Sequence, residues 1–186
     1  MDPISNKKEF EDLTTNLRDL AYSYIEKYSP SKQQTKTYLL KKYLKKFQGT
    51  KSKKEITKII DNIVINLEKS HLLNDSFYSD SKARMFLRRG YSLNKISHSL
   101  RSKGIGKDNI NSSLAKIKNE KSDPDFSSAM KICKKRRIGP MRPEANRELF
   151  YKKDMGILAR NGFTYDISKK ILSMSQKEFK QLIKLT

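Results

Sequence analysis

The feature that most constrains this chain is the spacing of its apolar residues. Ile56, Ile59, Ile60, Ile63, Val64 and Leu67 recur at steps of three and four, which places all of them on one face of an α-helix. Similar stripes run through Phe10, Leu13, Leu17, Leu20 and Tyr24, through Leu39, Leu40, Tyr43, Leu44 and Phe47, and through Leu93, Ile96 and Leu100. The alternation that marks a strand is sustained nowhere. Seven Gly and five Pro in 186 residues punctuate a mostly helical chain. The pattern predicts an all-α fold.

The punctuation marks where helices begin. Ser52-Lys53-Lys54-Glu55 reads as a capping box, in which Ser52 covers a free amide and Glu55 reaches back. Asp123-Pro124 reads as a cap followed by proline at the first helical position, where a missing N–H costs nothing, and Ser29-Pro30 has the same form. A related joint occurs three times, as Tyr28-Ser29, as Arg88-Arg89-Gly90-Tyr91-Ser92 and as Arg160-Asn161-Gly162-Phe163-Thr164. In the last two, Gly90 and Gly162 suit the left-handed turn that ends a helix, and Ser92 and Thr164 suit the cap of the next. Tyr91 is placed to staple onto Ile96. The aromatics of the three joints are 63 and 72 residues apart, which leaves room for three helices in each interval. The chain is therefore expected to be a tandem array of three three-helix repeats, spanning residues 1–69, 70–121 and 122–186.

Charge is the second constraint. Forty-one Lys and Arg against twenty Asp and Glu give a net charge of +21. The excess is +8 over residues 31–69, +7 over 70–121 and +8 over 122–186, so it is no basic tail on a neutral domain. Such a chain is drawn to polyanions, whether nucleic acid, an acidic protein groove or an anionic lipid surface. The first thirty residues carry −2, which argues against secretory and mitochondrial targeting peptides. Apolar runs stop at about three residues, too short to span a bilayer. One cysteine, Cys133, excludes an internal disulfide, and with only two distant histidines, His71 and His98, it makes a zinc site improbable. A reducing, cytoplasmic setting follows, with no cofactor and no metal.

No enzyme motif is found. Lys103-Gly104-Ile105-Gly106-Lys107 lacks the spacing of a phosphate-binding loop and reads as a helix-to-helix turn. Nothing around Glu148 and Asp154 selects them as an acid–base pair, and Cys133 beside Ile132 reads as a buried thiol without a histidine partner.

The candidate site residues are therefore cationic. Lys134-Lys135-Arg136-Arg137, with Lys131 and Arg142 nearby, forms the densest basic cluster, suited to phosphates or to carboxylates of a protein groove. The competing reading is a solvated helix end, where cations also favour the C-terminal dipole. Arg84, Arg88 and Arg89 form a second group, in which Arg84 and Arg88 share a helical face and Arg89 turns away. Arg101 and Lys103 form a third, near the end of the next helix. Tyr91 and Phe163 are aromatics of a kind that stacks on bases, yet their place in the joints favours packing. Asp75 is expected to cap a helix.

Leu72-Leu73-Asn74-Asp75-Ser76-Phe77, followed by Arg88-Arg89-Gly90-Tyr91-Ser92, Ile96, Leu100 and Lys103-Gly104-Ile105, resembles the central signature of the RecX family of bacterial regulatory proteins. Arg160-Asn161-Gly162-Phe163-Thr164-Tyr165-Asp166-Ile167, with Ile171-Leu172 after it, is similar to the end of that family's last module, and Arg136-Arg137-Ile138-Gly139-Pro140 to a segment before it. The likeness runs over roughly residues 20–175, with departures at Tyr78 and at Ser92-Leu93. It implies an elongated all-helical protein of three repeats that lodges in the groove of the RecA filament on single-stranded DNA. Such proteins restrain filament extension, strand exchange and the associated ATP hydrolysis, and catalyse nothing themselves. A monomer is expected. The alternative is a helical protein that binds DNA without RecA and without sequence preference.

Overall fold

The computed structural model describes residues 3–46 and 52–184, without the side chains of residues 3–9; Phe47 lies outside the described residues. The described residues form ten α-helices and a single 3₁₀ turn, with no strand among them. In chain order the helices are α1 (Pro3–Tyr28), α2 (Lys32–Lys46), α3 (Lys53–Lys69), α4 (Asp75–Arg88), α5 (Leu93–Arg101), α6 (Lys107–Glu120), α7 (Pro124–Arg136), α8 (Glu144–Arg160), α9 (Tyr165–Leu172) and α10 (Gln176–Leu182). The 3₁₀ turn, Gly139–Met141, lies between α7 and α8. No helix among the described residues is long and apolar enough to cross a membrane. The chain divides into two compact units, residues 1–78 with 103–105, and residues 79–102 with 106–186.

The core of the first unit is built by the stripes of α1, α2 and α3. All six members of the α3 stripe, from Ile56 to Leu67, are buried. Each is worth about 1.5–3 kcal/mol relative to an exposed side chain, which explains why a helix rich in β-branched isoleucine forms here. Leu13, Leu17 and Ala21 of α1 and Leu39 and Tyr43 of α2 close the same core. Phe10 and Leu44, at the edges of their stripes, remain exposed. The helix start at Ser52 is a complete capping box, with the Ser52 N–H donating to Glu55 Oε2 (2.9 Å) and the Glu55 N–H to Ser52 Oγ (3.3 Å).

The expected start at Ser29-Pro30 does not form. Helix α1 runs to Tyr28, Ser29 takes a left-handed conformation (φ 41°), and α2 begins at Lys32. Ser31 caps α2 instead, because Gln34 completes a reciprocal pair with it: the Gln34 N–H donates to Ser31 Oγ (3.2 Å) and the Ser31 N–H to Gln34 Oε1 (3.1 Å). Asp75 likewise does not cap its own helix. Asn74 does, accepting the Phe77 N–H (3.0 Å), while Asp75 is buried and accepts the Lys32 N–H at the start of α2 (2.9 Å).

The second unit has its main core among α7, α8, α9 and α10, where Met130, Leu158, Ile171 and Phe179 are fully buried. Asp123 caps α7 by accepting the Phe126 N–H (3.0 Å), with Pro124 inside the first turn. Ser92 caps α5 and Thr164 caps α9, and Gly90 (φ 84°) and Gly162 (φ 83°) are left-handed.

Each unit contains one interlock of the same construction. In the first, Asp75 holds the start of α2, the Ser31 hydroxyl donates to the Lys103 carbonyl (2.7 Å), and Gly104 (φ 78°) lies against Gln33. In the second, Asp125 accepts the Leu93 N–H at the start of α5 (2.7 Å), the Ser92 N–H points to the Asn161 carbonyl (3.4 Å), and Gly162 lies against Ser92 and Lys95. By what it touches, the counterpart of Gly162 is Gly104, whereas the joint sequences pair it with Gly90. The counterpart of Gly90, at the end of the preceding helix, is Ser29.

Candidate functional site

The basic residues singled out by the sequence fall into two groups, those already engaged within the fold and those left free. Arg84 is engaged: it makes a two-pronged pair with Glu120, both bonds 2.6 Å, and this pairing holds its guanidinium above the ordinary arginine range. Arg142 turns inward. Its Nε and Nη2 donate to the two oxygens of Asp154 at 2.6 and 2.7 Å, and its guanidinium lies 4.5 Å from the centre of the Phe150 ring. Asp154 is only 1% exposed and also accepts the Gly139 N–H (2.9 Å). Three donors thus converge on one buried carboxylate, which fixes the 3₁₀ turn to α8. Lys131 is half-buried, and burial followed by the nearby charge of Lys121 pushes its ammonium below the ordinary lysine range.

The free group is made of Arg88, Arg89, Arg101, Lys103, Lys134, Lys135, Arg136 and Arg137, all exposed and without an ion pair among the described residues. Lys134, Lys135 and Arg136 occupy the last turn of α7, where the unsatisfied carbonyls of the helix end favour positive charge. Arg137 follows in a left-handed conformation (φ 52°, ψ 49°), a position usually filled by glycine. Its N–H and that of Ile138 turn back to the Lys134 and Cys133 carbonyls. Four adjacent cations are thus presented at a helix end that is held from beneath by the buried Ile132, Cys133 and Ile138. Arg88 ends α4, and the following Gly90 packs on Ile132 and on the Ser128 carbonyl of α7. The joint after Arg88 and Arg89 therefore rests on the helix that carries the cluster.

Tyr91 stacks on Phe86 (5.3 Å, parallel) with the Lys95 ammonium 4.4 Å from its ring centre. Phe163 is buried in the core. Burial pushes the Cys133 thiol up to about 12, and the Asp154 carboxylate adds to the shift. An open depression of about 810 Å³ in the second unit is lined by residues that include Arg147, Glu148, Lys152 and Asp154. Asp154 is saturated by Arg142 and Gly139. Arg147, which the sequence did not single out, spans Glu144 and the carbonyls of Leu172 and Met174 at the end of α9.

Comparison with known proteins decides the family. The regulatory protein RecX of Myxococcus xanthus is 32% identical over 161 residues, which cover 85% of this chain and 84% of that protein. The chain belongs to the RecX family. RecX of Agrobacterium fabrum is 26% identical over 111 residues, 60% of this chain and 57% of that protein. A crystal structure of regulatory protein RecX matches 94% of this chain and 79% of its own with a TM-score of 0.66 at 21% identity. RecX from Lactobacillus salivarius matches 95% of this chain and 99% of its own with a TM-score of 0.60 at 18% identity. No protein-family model matches the chain. The all-helical architecture expected from the apolar stripes is thus the architecture of solved RecX structures, and the relatives are named as regulatory proteins, not as enzymes.

Proposed function

We propose that this RecX-family chain binds the RecA filament on single-stranded DNA and restrains its extension, strand exchange and ATP hydrolysis. The observation that carries the reading is the set of four exposed cations, Lys134 to Arg137, at the end of α7. A filament groove that exposes both carboxylates and phosphates is a surface such a cluster fits. Arg88, Arg89, Arg101 and Lys103 add charge to the same task. Arg84, Lys131 and Arg142, though cationic, are assigned a smaller share because two are paired and one is partly buried. Regulation then works by differential affinity: a bound helical array stabilises one state of the filament over another. The three-repeat organisation with boundaries near residues 69 and 121, a monomeric state and a cytoplasmic setting belong to the same proposal. The interlock built once in each unit supports the repeat reading.

The test adds purified protein to RecA filaments on single-stranded DNA and follows strand exchange and ATP hydrolysis. Slowing of both is expected. No effect on either, together with tight binding to naked duplex, would replace this reading with that of a RecA-independent DNA-binding protein.

A further inference from the structure

The first unit carries a row of rings and cations that the filament reading does not use. Tyr24 and Tyr28 stand one turn apart on α1, and Tyr38 and Lys42 one turn apart on α2, so each pair shares a helical face. The Tyr24 and Tyr38 rings stack (4.0 Å between centres, 5° between planes), and Tyr28 tilts against Tyr24 (5.1 Å, 48°). The Lys27 ammonium lies 5.4 Å from the Tyr28 ring centre and that of Lys42 lies 5.5 Å from the Tyr38 ring centre. The order along the surface is therefore ammonium, three rings, ammonium. Burial, followed by Tyr28 and Tyr38, raises the Tyr24 phenol above its ordinary range, in keeping with phenols gathered close together.

Packing explains part of this row. Tyr24 and Tyr38 are half-buried and seal α1 onto α2. Packing does not explain Tyr28, which is 55% exposed at the end of α1, nor why both ends of the row carry exposed lysines without an ion pair among the described residues. An aromatic face bracketed by free cations matches a ligand that is itself flat rings alternating with anions. Single-stranded nucleic acid has that chemistry, whereas a duplex keeps its base faces covered by stacking. We propose that Tyr28, at the Lys27 end of this row, is a stacking site for an unpaired base, with the Lys27 and Lys42 ammonium groups at the two ends of the row holding phosphates of the same strand. This site is on the first unit and needs no RecA, so it stands or falls apart from the filament reading.

The experiment measures binding of the full chain to a labelled oligothymidylate and to a duplex of equal length, with RecA absent. Tyr28→Leu keeps an apolar, exposed side chain but removes the ring, and it should weaken single-strand binding between about fivefold and a hundredfold while leaving duplex binding unchanged. Tyr28→Phe, which keeps the ring, should bind as the parent does. Lys27→Gln combined with Lys42→Gln should lower the slope of log affinity against log salt by about 1.4, at about 0.7 per phosphate on a single strand, whereas Tyr28→Leu should not change that slope. Equal single-strand affinity for Tyr28→Leu and the parent would overturn the site. So would equal losses on single strand and duplex, or a Tyr28→Phe variant as weak as Tyr28→Leu.

Discussion

Gly162 lies so close to Ser92 that a Cβ there would sit 2.4 Å from Ser92 Oγ and 3.1 Å from the Lys95 backbone nitrogen. Its φ of 83° adds a backbone penalty for any L side chain. Gly162→Ala is therefore expected to destabilise the protein by about 2 kcal/mol or more. Gly106, the cap of α6, is the internal control: an added Cβ meets nothing within 4 Å, and its φ is −66°. Gly106→Ser supplies the missing cap oxygen and should gain a few tenths of a kcal/mol. Urea unfolding of both variants checks the pair, and a Gly162→Ala protein as stable as the parent would show that the joint yields.

Asp154 and Arg142 make the most demanding ion pair described in the second unit, since the carboxylate is 1% exposed and the guanidinium side chain 19%. Removing the acid leaves a largely buried cation and the Gly139 N–H without an acceptor. Asp154→Ala is expected to cost about 3 kcal/mol or more. Arg142→Met, which strands Asp154 only in part because the Gly139 N–H still bonds it, should also destabilise; the double variant Asp154→Ala with Arg142→Met should lose less than the sum of the two. Thermal unfolding of the three proteins measures the coupling, and additive losses would mean that the pair contributes nothing as a pair.

The fold was legible where the signal is local. The α3 stripe and the caps at Ser52, Ser92, Asp123 and Thr164 each depend on residues within one or two turns, and each stands as the spacing predicts. Asp75 and Asp125 could not be read, because the amides they accept lie 43 and 32 residues away. A carboxylate near a helix start looks like the cap of its own helix until the partner is seen. Ser29-Pro30 misled for a related reason: the cap geometry belongs to Ser31, and a serine carries the left-handed turn that glycine takes elsewhere. The candidate site shows the same division. A run such as Lys134 to Arg137 announces charge, but only the fold distinguishes a free cation from one such as Arg142 that is bound to Asp154 twelve residues on. The row formed by Tyr24, Tyr28 and Tyr38 requires two helices and has no signature in either one alone.

Asp125 gives the second unit a pH dependence whose sign can be worked out. Burial raises its carboxyl above the ordinary range, the bond from the Leu93 N–H opposes that, and neighbouring Asp123 adds to it. A raised value in the fold means that the protonated form is favoured more by the folded than by the unfolded chain. This contribution is complete below the ordinary carboxylate range and is lost as pH rises through the raised value. Asp125→Asn keeps an oxygen for Leu93 but does not titrate. Its stability relative to the parent should therefore shift in the variant's favour as pH rises from below the ordinary carboxylate range through the raised value, and then level off. Urea midpoints across that range test it, and a shift toward the parent would reverse the sign of the burial effect.

Arg137 separates stability from binding in one side chain. At φ 52° and ψ 49° it occupies the left-handed end of α7, a conformation that costs a non-glycine residue about 1–2 kcal/mol. Glycine removes that cost but loses more freedom on folding, so Arg137→Gly is expected to gain a few tenths to about 1 kcal/mol. The same change removes one of four clustered cations. If the cluster meets phosphates or carboxylates, the variant should unfold at a higher temperature yet bind more weakly and slow strand exchange less. Stability and binding would then move in opposite directions, which no loss of folding can imitate. A variant that is more stable and equally active would take Arg137 out of the interface and leave its charge as a feature of the helix end alone.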